Sequence, residues 1–208
     1  MMLEAKNISF SYTENHKILE NISMSFSTNE IVGLIGPSGC GKSTFSKILA
    51  GYIIPQAGEV LFDGQKLPRQ GYCPVQLIYQ HPEKAVNPKW KMKQVLAEGW
   101  DIDKETLSAL GIRDEWLSRW PNELSGGELQ RFCIARALGP KTKFIIADEM
   151  TTMLDAITQA SIWKVIVEQC RERNIGLLAV THNHALADRI CDRIIEFENL
   201  AHKPCEIC

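Results

Sequence analysis

Hydrophobic residues along the chain change their spacing from one segment to the next, and the spacing predicts strands and helices. Residues 3–10 and, more weakly, 18–26 alternate apolar with polar side chains, as strands with one buried face do. The apolar run 30–35 leads directly into glycines, and residues 43–50 follow with helical spacing that Gly51 ends. This order of strand, turn and helix predicts a βα unit.

The second half of the chain repeats the pattern of buried strands. Apolar runs at 143–147 and 176–180 end on polar residues and flank a long helical pattern at about 154–173, as buried parallel strands do. A last strand is expected at 193–198. Residues 84–138 are mostly helical in pattern and hold four of the five tryptophans, which we interpret as core residues rather than a docking surface. The pattern predicts an α/β core with an inserted helical subdomain.

Length and charge narrow the class of protein. The 208 residues suffice for one domain with a buried core, and 45% of them are hydrophobic, which excludes a disordered chain. The formal net charge of −2 gives no basic field, so no nucleic-acid partner is expected. No apolar run approaches the roughly 18 residues of a membrane span, and the first residues lack a secretory signal, so a cytosolic location is expected. The seven cysteines are widely spaced and expected to be mostly free thiols.

Residues 36–43, Gly-Pro-Ser-Gly-Cys-Gly-Lys-Ser, fit the motif G-x-x-x-x-G-K-[ST] between the predicted strand and helix. Backbone N–H groups of such a loop surround phosphate oxygens, Lys42 can bridge the β and γ phosphates, and Ser43 can bind Mg²⁺. The motif predicts a site for a nucleoside triphosphate. Its nucleotide-binding residues are expected to be Gly36, Pro37, Ser38, Gly39, Cys40, Gly41, Lys42, Ser43 and Thr44.

An acidic pair follows the buried strand predicted at 143–147. Asp148 stands at the carboxyl end of that strand, where it can hold Mg²⁺ beside the phosphate loop. Glu149 follows it and is free to polarise an attacking water, so we assign it as the general base.

A second glycine motif, Leu-Ser-Gly-Gly-Glu at 124–128, opens a helix that is expected to run to about Leu138. Serine at a helix start followed by two glycines exposes unpaired N–H groups, which make a second anion-binding end. With these motifs in this order, essentially the whole chain resembles the ATP-binding cassette ATPases, whose signature motif is L-S-G-G-Q. Glu128 stands where that motif has glutamine, whereas the backbone N–H donors of the motif are unaffected by this difference.

The resemblance implies an α/β fold with a P-loop NTPase core, whose mixed sheet includes N-terminal antiparallel strands, and an inserted helical subdomain. It divides the single domain into a nucleotide-binding core at 1–83 and 139–200, a helical subdomain with the signature motif at 84–138, and a flexible tail at 201–208. It also implies ATP hydrolysis with Mg²⁺. Two cassettes, identical or not, would pack head to tail, so that each ATP lies between the phosphate loop of one and the signature helix of the other.

The resemblance carries over to single residues. Tyr12 matches the aromatic residue that stacks on adenine, although it could be an ordinary exposed tyrosine at a strand end. Gln80 matches the glutamine that reaches Mg²⁺ and the attacking water, and His182 matches the histidine that contacts the γ-phosphate. Met150 and Asn183 stand where proline and aspartate are common. The nucleotide contacts of the signature motif would come from Ser125, Gly126 and Gly127.

Segments 80–88 and 149–156 resemble the oligopeptide, dipeptide and nickel importer branch of the family. That branch implies a peripheral subunit at the cytoplasmic face of the cell membrane, energising uptake of peptide, nickel or a similar solute. Its partners would be transmembrane permease subunits and, indirectly, a solute-binding protein, with Trp90 and Met92 near the permease's docking groove. The alternative is the ATPase of a soluble assembly such as carbon–phosphorus lyase.

Cysteine chemistry leaves two alternatives open. Cys40 lies inside the phosphate loop and is either a reactive thiol or only a small loop residue. His202, Cys205 and Cys208 in the tail have the spacing of metal ligands, but a frayed terminus is the other interpretation.

Overall fold

A computed structural model describes residues 1–13 and 16–200. Its strands are β1 Met2–Thr13, β2 His16–Ser27, β3 Ile31–Ile35, β4 Ala57–Phe62, β5 Gln65–Lys66, β6 Val75–Ile78, β7 Phe144–Asp148, β8 Gly176–Thr181 and β9 Arg193–Glu196. Its α-helices are α1 Lys42–Leu49, α2 Met92–Ala97, α3 Lys104–Ala109, α4 Gly126–Ala137, α5 Ala156–Glu172 and α6 His184–Ile190. Short 3₁₀ helices lie at Pro82–Lys84, Asp114–Ser118, Pro121–Glu123 and Phe197–Leu200.

The centre of the fold is a parallel sheet of five strands in the order β6-β7-β8-β3-β9. It contains the strands predicted from the apolar runs at 30–35, 143–147 and 176–180. Because the strands are parallel, the ends of β3, β7 and β8 open on one edge of the sheet, where an α/β fold binds its ligands.

The second sheet is antiparallel, with four strands in the order β2-β1-β4-β5. It confirms the predicted pairing of the first two strands, in which Leu3 lies opposite Phe26. Strand β4, which the hydrophobic pattern did not predict, pairs with the other side of β1. Gly58 lies at the register shift in this pairing with φ +82°, and a Cβ atom there would overlap the carbonyl oxygens of Lys6 and Asn7.

The parallel sheet separates two hydrophobic clusters, because alternate residues of each strand point to opposite faces. Along β7, Ile145 and Ala147 join the cluster formed with α4 and α5, whereas Phe144 and Ile146 join the one formed with α1 and the antiparallel sheet. The mixed α/β architecture confirms the predicted fold class. Among the helices that the structure describes, none combines the length and the apolar composition of a membrane span.

The tryptophans of residues 84–138 differ in burial. Trp116 is buried, while Trp90 and Trp100 are half-buried. Trp120 is 39% exposed and therefore departs from the interpretation of these residues as core. It lies at the start of the Pro121–Glu123 turn, and the Lys91 ammonium lies 5.8 Å from its ring centroid. An aromatic face that contacts a cation can stay in water without being packed in a core.

Candidate functional site

The phosphate loop connects β3 to α1, at the edge of the sheet where the parallel strands end. Two of its glycines have positive φ, +84° at Gly39 and +109° at Gly41. A Cβ atom on Gly41 would lie 3.0 Å from the Leu19 side chain and 3.2 Å from the Ile18 carbonyl oxygen. Glycine is therefore required at Gly41 for both backbone conformation and space.

Lys42 begins α1 and is buried, with 4% of its surface exposed. Its ammonium donates hydrogen bonds to the carbonyl oxygens of Gly36 at 2.8 Å and Pro37 at 2.7 Å, and lies 3.8 Å from the Cys40 sulfur. The lysine charge is thus held against the loop that carries it. In that position it can meet an anion bound by the loop's N–H groups.

Ser43 and Asp148 lie together beside the loop. The Ser43 hydroxyl donates a 3.1 Å hydrogen bond to the Asp148 carboxylate at the end of β7. Burial raises the pKa of the Asp148 carboxyl, and the hydrogen bond from Ser43 opposes that rise. A hydroxyl and a carboxylate are hard oxygen donors of the kind Mg²⁺ prefers, so this pair fits the ion.

Gln80, the third predicted metal ligand, forms its side-chain hydrogen bond with Thr152 and not with Ser43 or Asp148. Its side-chain amide donates to the Thr152 hydroxyl at 3.0 Å, and that hydroxyl donates to the Glu149 carbonyl oxygen at 3.1 Å. The structure therefore links Gln80 to the loop that follows the acidic pair. Sequence reasoning missed Thr152 as a bridge, since a single threonine in a loop carries no pattern.

Glu149 and His182 face each other across neighbouring strands. His182 Nδ1 lies 3.4 Å from Glu149 Oε1, because the two residues directly follow β7 and β8. Glu149 has φ +46°, and its N–H donates to the Val180 carbonyl oxygen at 3.0 Å. Its side chain is 16% exposed and that of His182 is 54% exposed. The Glu149 carboxylate is thus held beside the His182 imidazole, which is the more exposed of the two side chains.

Tyr12 lies at the end of β1, with 58% of its surface exposed. Its ring meets Phe10 edge to face at 4.9 Å, and its hydroxyl lies 3.4 Å from the Thr44 hydroxyl in α1. The structure therefore places an exposed aromatic ring beside the helix that follows the phosphate loop.

The signature motif forms the start of α4. The Ser125 hydroxyl accepts from the Glu128 N–H at 3.3 Å, and the Glu128 carboxylate accepts from the Ser125 N–H at 2.7 Å. This reciprocal capping gives Glu128 a structural role at the position where the family motif has glutamine. The first turn of α4 opens into a cleft of about 470 Å³, which is lined by the motif together with Gln80, Leu154 and Asp155 and by none of residues 36–43.

Asn183, another departure from the family pattern, caps α6, because its side-chain oxygen accepts from the Leu186 N–H at 3.1 Å. The five cysteines that the structure describes are all free. The tail residues His202, Cys205 and Cys208 lie outside the described residues, so the two interpretations of the tail, a metal site or a frayed terminus, both stay open.

A glycine loop that closes on a lysine between a buried strand and a helix, with an acidic strand end beside it, defines a P-loop nucleotide-binding protein. The ABC transporter family matches residues 19–152. The nickel import ATP-binding protein NikE of Escherichia coli O157:H7 is 32% identical over 210 residues, covering 91% of this chain and 78% of that protein. The NikE protein of Escherichia coli strain K12 is 31% identical, covering 89% and 76%. The chain therefore belongs to the ABC transporter ATPase family and is an ATP-hydrolysing ATP-binding cassette.

Solved structures agree with this assignment. A dimeric ATP-binding cassette in a post-hydrolysis state with ADP and phosphate superposes with a TM-score of 0.79 at 26% identity, over 93% of each chain. The cbiO1 subunit from Clostridium perfringens, part of an ABC transporter complex, gives 0.76 at 23% identity, covering 93% of this chain and 83% of that one. The second likeness supports the fold alone.

Proposed function

We propose that this cassette is the energising subunit of an ABC importer for nickel, peptide or a similar small solute. The observation that carries the proposal is the separation of two anion-binding ends. The phosphate loop is hydrogen-bonded to Asp148 through Ser43, whereas the signature helix opens into a cleft that none of residues 36–43 line. A chain built in this way contributes one half to each of two ATP sites. Two cassettes are therefore needed to complete a site.

In the proposed reaction, the N–H groups of the phosphate loop and the Lys42 ammonium bind the β and γ phosphates of ATP. Tyr12 stacks on the adenine. Ser43 and Asp148 would hold Mg²⁺, with Gln80 joining them after it leaves Thr152, and the ion would supply neutralisation of phosphate charge. The remaining donors, the N–H groups of Ser125, Gly126 and Gly127, come from the second subunit.

Glu149 acts as the general base. It orients a water for in-line attack on the γ-phosphorus and accepts its proton, while the bond to the β-phosphate oxygen breaks and ADP leaves. His182, 3.4 Å from Glu149, is placed to donate to the γ-phosphate oxygens. The low exposure of Glu149 supports this role, since a carboxylate shielded from bulk water keeps a single orientation.

Dimerisation follows from the shared phosphate. ATP bridges the phosphate loop of one subunit and the signature helix of the other, and hydrolysis removes that bridge. The pair then opens, because the nucleotide no longer binds the closed state better than the open state. The second subunit is either a copy of this chain or a different cassette.

We further propose that the cassette is peripheral, at the cytoplasmic face of the membrane, bound to transmembrane permease subunits and reaching a solute-binding protein through them. The import function in the names of the NikE relatives and the resemblance of residues 80–88 and 149–156 support this. Met92 is fully buried and cannot itself contact a permease, whereas Trp90 is half-buried beside it. The division into a core at 1–83 and 139–200 and a helical subdomain at 84–138 is part of the same proposal.

Purification of the tagged chain from its own host tests this function. Recovery from detergent-solubilised membranes with multispanning permease subunits, and loss of nickel or peptide uptake when Glu149→Gln replaces the wild type, are expected. Recovery only in a large soluble complex, with uptake unchanged, would overturn the importer in favour of an assembly such as carbon–phosphorus lyase.

A further inference from the structure

One face of the signature helix α4 is joined to the segment around the Pro82–Lys84 turn by three side-chain contacts. In each contact a side chain of α4 donates to a backbone carbonyl oxygen of residues 79–85. The three pairs are Gln130 Nε2 to Tyr79 at 3.3 Å, Cys133 Sγ to Pro82 at 3.9 Å and Arg136 Nη1 to Ala85 at 2.7 Å.

The spacing of the contacts is the same on both sides. The donors are three residues apart, which places them along one face of an α-helix. The acceptors are also three residues apart, and the 3₁₀ turn between them has a period of about three residues. The two periods match, so every third residue of one segment meets every third residue of the other. We call this set of three contacts the carbonyl ladder.

The ladder is mostly buried, and its members differ in strength. Gln130 is 1% exposed and Cys133 is 7% exposed. Burial raises the pKa of the Cys133 thiol to about 12, so its sulfur keeps the proton and acts as a weak donor. Arg136 makes the charged contact and also donates to the Glu98 carboxylate at 2.8 Å, at the end of α2. The two outer contacts, from Gln130 and Arg136, therefore dominate.

The ladder continues into the site. Tyr79 precedes Gln80, whose amide donates to the Thr152 hydroxyl, which in turn donates to the Glu149 carbonyl oxygen. Three hydrogen bonds and the chain link from Tyr79 to Gln80 thus join the signature helix to the backbone of the proposed general base. Side chains of α4 contact the backbone next to Gln80, while the Gln80 side chain itself is bonded to Thr152.

We propose that Gln130 and Arg136 are positioning residues that make segment 79–85 move together with the signature helix. The inference rests on the proposed function, since it assigns Gln80 to one ATP site and the signature helix to the site across the dimer. Displacement of the helix that serves one site would then move the glutamine that serves the other. Neither positioning residue need touch nucleotide.

Amide hydrogen exchange of the nucleotide-free chain tests the ladder without depending on ATPase activity. Gln130→Met keeps the length of the side chain and removes its donor. Arg136→Lys keeps the charge but lacks the planar guanidinium that donates to Ala85 and Glu98 at the same time. Exchange at Lys84 and Ala85, whose N–H groups donate within the turn, is expected to quicken roughly fivefold, the factor for one hydrogen bond of about 1 kcal/mol. Amides of α1 should not change.

Gln169→Met in α5 is the matched control. Gln169 is a helical glutamine that is less buried than Gln130 and donates once, to Glu172. Like that of Gln130, its Oε1 is buried without a partner in the described structure. It lies outside the ladder, so exchange at 84–85 should stay at the wild-type rate. Equal exchange in all variants, or an equal increase in the control, would overturn the ladder as a link.

Turnover separates positioning from general stability. For Gln130→Met we expect kcat to fall about fivefold with KM for ATP unchanged, because the phosphate loop is intact. A variant that exchanges faster at 84–85 but keeps its kcat would overturn the positioning role while leaving the contact itself established. A wild-type chain that hydrolyses no ATP would count against the proposed function, and the exchange result would stand apart from it.

Discussion

The phosphate loop and the signature motif both present helix N–H groups to an anion, but they are built differently. The phosphate loop takes its shape from nearby residues: glycines with positive φ, and a lysine bonded to carbonyls six and five residues before it. The signature helix is placed by distant residues, through side chains that reach carbonyls 51 residues away. Local construction favours one fixed geometry, whereas long-range contacts let a helix be displaced as a body.

The acidic strand end belongs to the phosphate side of this comparison. Asp148 is bonded to Ser43, and Glu149 is held by the backbone of β8, so both move with the parallel sheet. Gln80 stands between the two regions, with its backbone tied to α4 through Tyr79 and its side chain tied to Thr152. Substitutions that act on one region and not the other can therefore test the difference.

Glu149→Gln should have the largest effect, on turnover. The amide cannot accept the proton of the attacking water, so kcat is expected to fall about 10²–10⁴-fold, the usual contribution of a general base. ATP affinity should stay within about threefold, because no phosphate-loop contact changes. ATP that is not hydrolysed would then keep the phosphate loop of one subunit joined to the signature helix of the other. A nucleotide-bound dimer should therefore accumulate, and size-exclusion chromatography measures it.

Glu168→Gln provides the control, since Glu168 is an exposed carboxylate of α5 paired with Lys164 at 3.9 Å. It should turn over like the wild type. Hydrolysis by Glu149→Gln at the wild-type rate would remove Glu149 from the role of base.

Lys42→Ala should act on the phosphate side alone, by weakening ATP binding about 100-fold or more. The variant loses charge-assisted hydrogen bonds to the phosphates, each worth about 1.5–3 kcal/mol. A fluorescent nucleotide titration measures the loss. Lys66→Ala, an exposed residue of β5 paired with Glu59, should bind normally. Unchanged affinity in Lys42→Ala would show that the loop N–H groups suffice.

The same comparison explains how much could be predicted from the sequence. Residues 36–43 were predicted together with their strand and helix, because the motif, the apolar run before it and the helical spacing after it are all local. The pair Asp148 and Glu149 could be placed because a buried parallel strand fixes where its end lies. The fold class could be predicted correctly because it, too, depends on these local patterns of strands and helices.

Long-range contacts could not be predicted in this way. The turn of Gln80 toward Thr152 and the contact of Gln130 with Tyr79 depend on packing between segments that no local pattern relates. Strand β4 was missed because it is half-buried at the side of β1, and Trp120 was assigned to the core although its contact with Lys91 keeps it at the surface.

Gly127→Ala tests the signature side through its packing. A Cβ atom on Gly127 would lie 3.0 Å from the Thr158 methyl and 3.5 Å from Leu154, whereas one on Gly126 would have no neighbour closer than 3.9 Å. Overpacking costs about 1–3 kcal/mol, partly offset by the higher helix propensity of alanine. The free energy of unfolding should therefore fall by about 1 kcal/mol for Gly127→Ala and stay level or rise slightly for Gly126→Ala. Urea unfolding measures both, and equal values would show that α4 and α5 are loosely packed at this point.

Glu30→Gln should have the smallest effect, on the sheet that supports the phosphate loop. The Glu30 carboxylate accepts from Arg193 at 2.6 Å and from the Ser27 N–H at 3.0 Å, just before β3 begins. Burial alone would raise the pKa of this carboxyl, but the hydrogen bonds outweigh it and hold the pKa below its ordinary value.

A lowered pKa stabilises the fold above the pKa of the unfolded chain, about 4.3, and this stabilisation is lost as the pH falls through the folded value. Glu30→Gln should therefore lower the free energy of unfolding by about 0.5–1 kcal/mol at pH 7, a modest value because solvent screens the pair. The difference from the wild type should narrow below about pH 4. Glu20→Gln, in an exposed pair with Lys17, should show no change at either pH. Since Glu30 lies at the opposite end of β3 from the phosphate loop, turnover per folded molecule should not change, and a loss of turnover would mean that strain in the sheet reaches the loop.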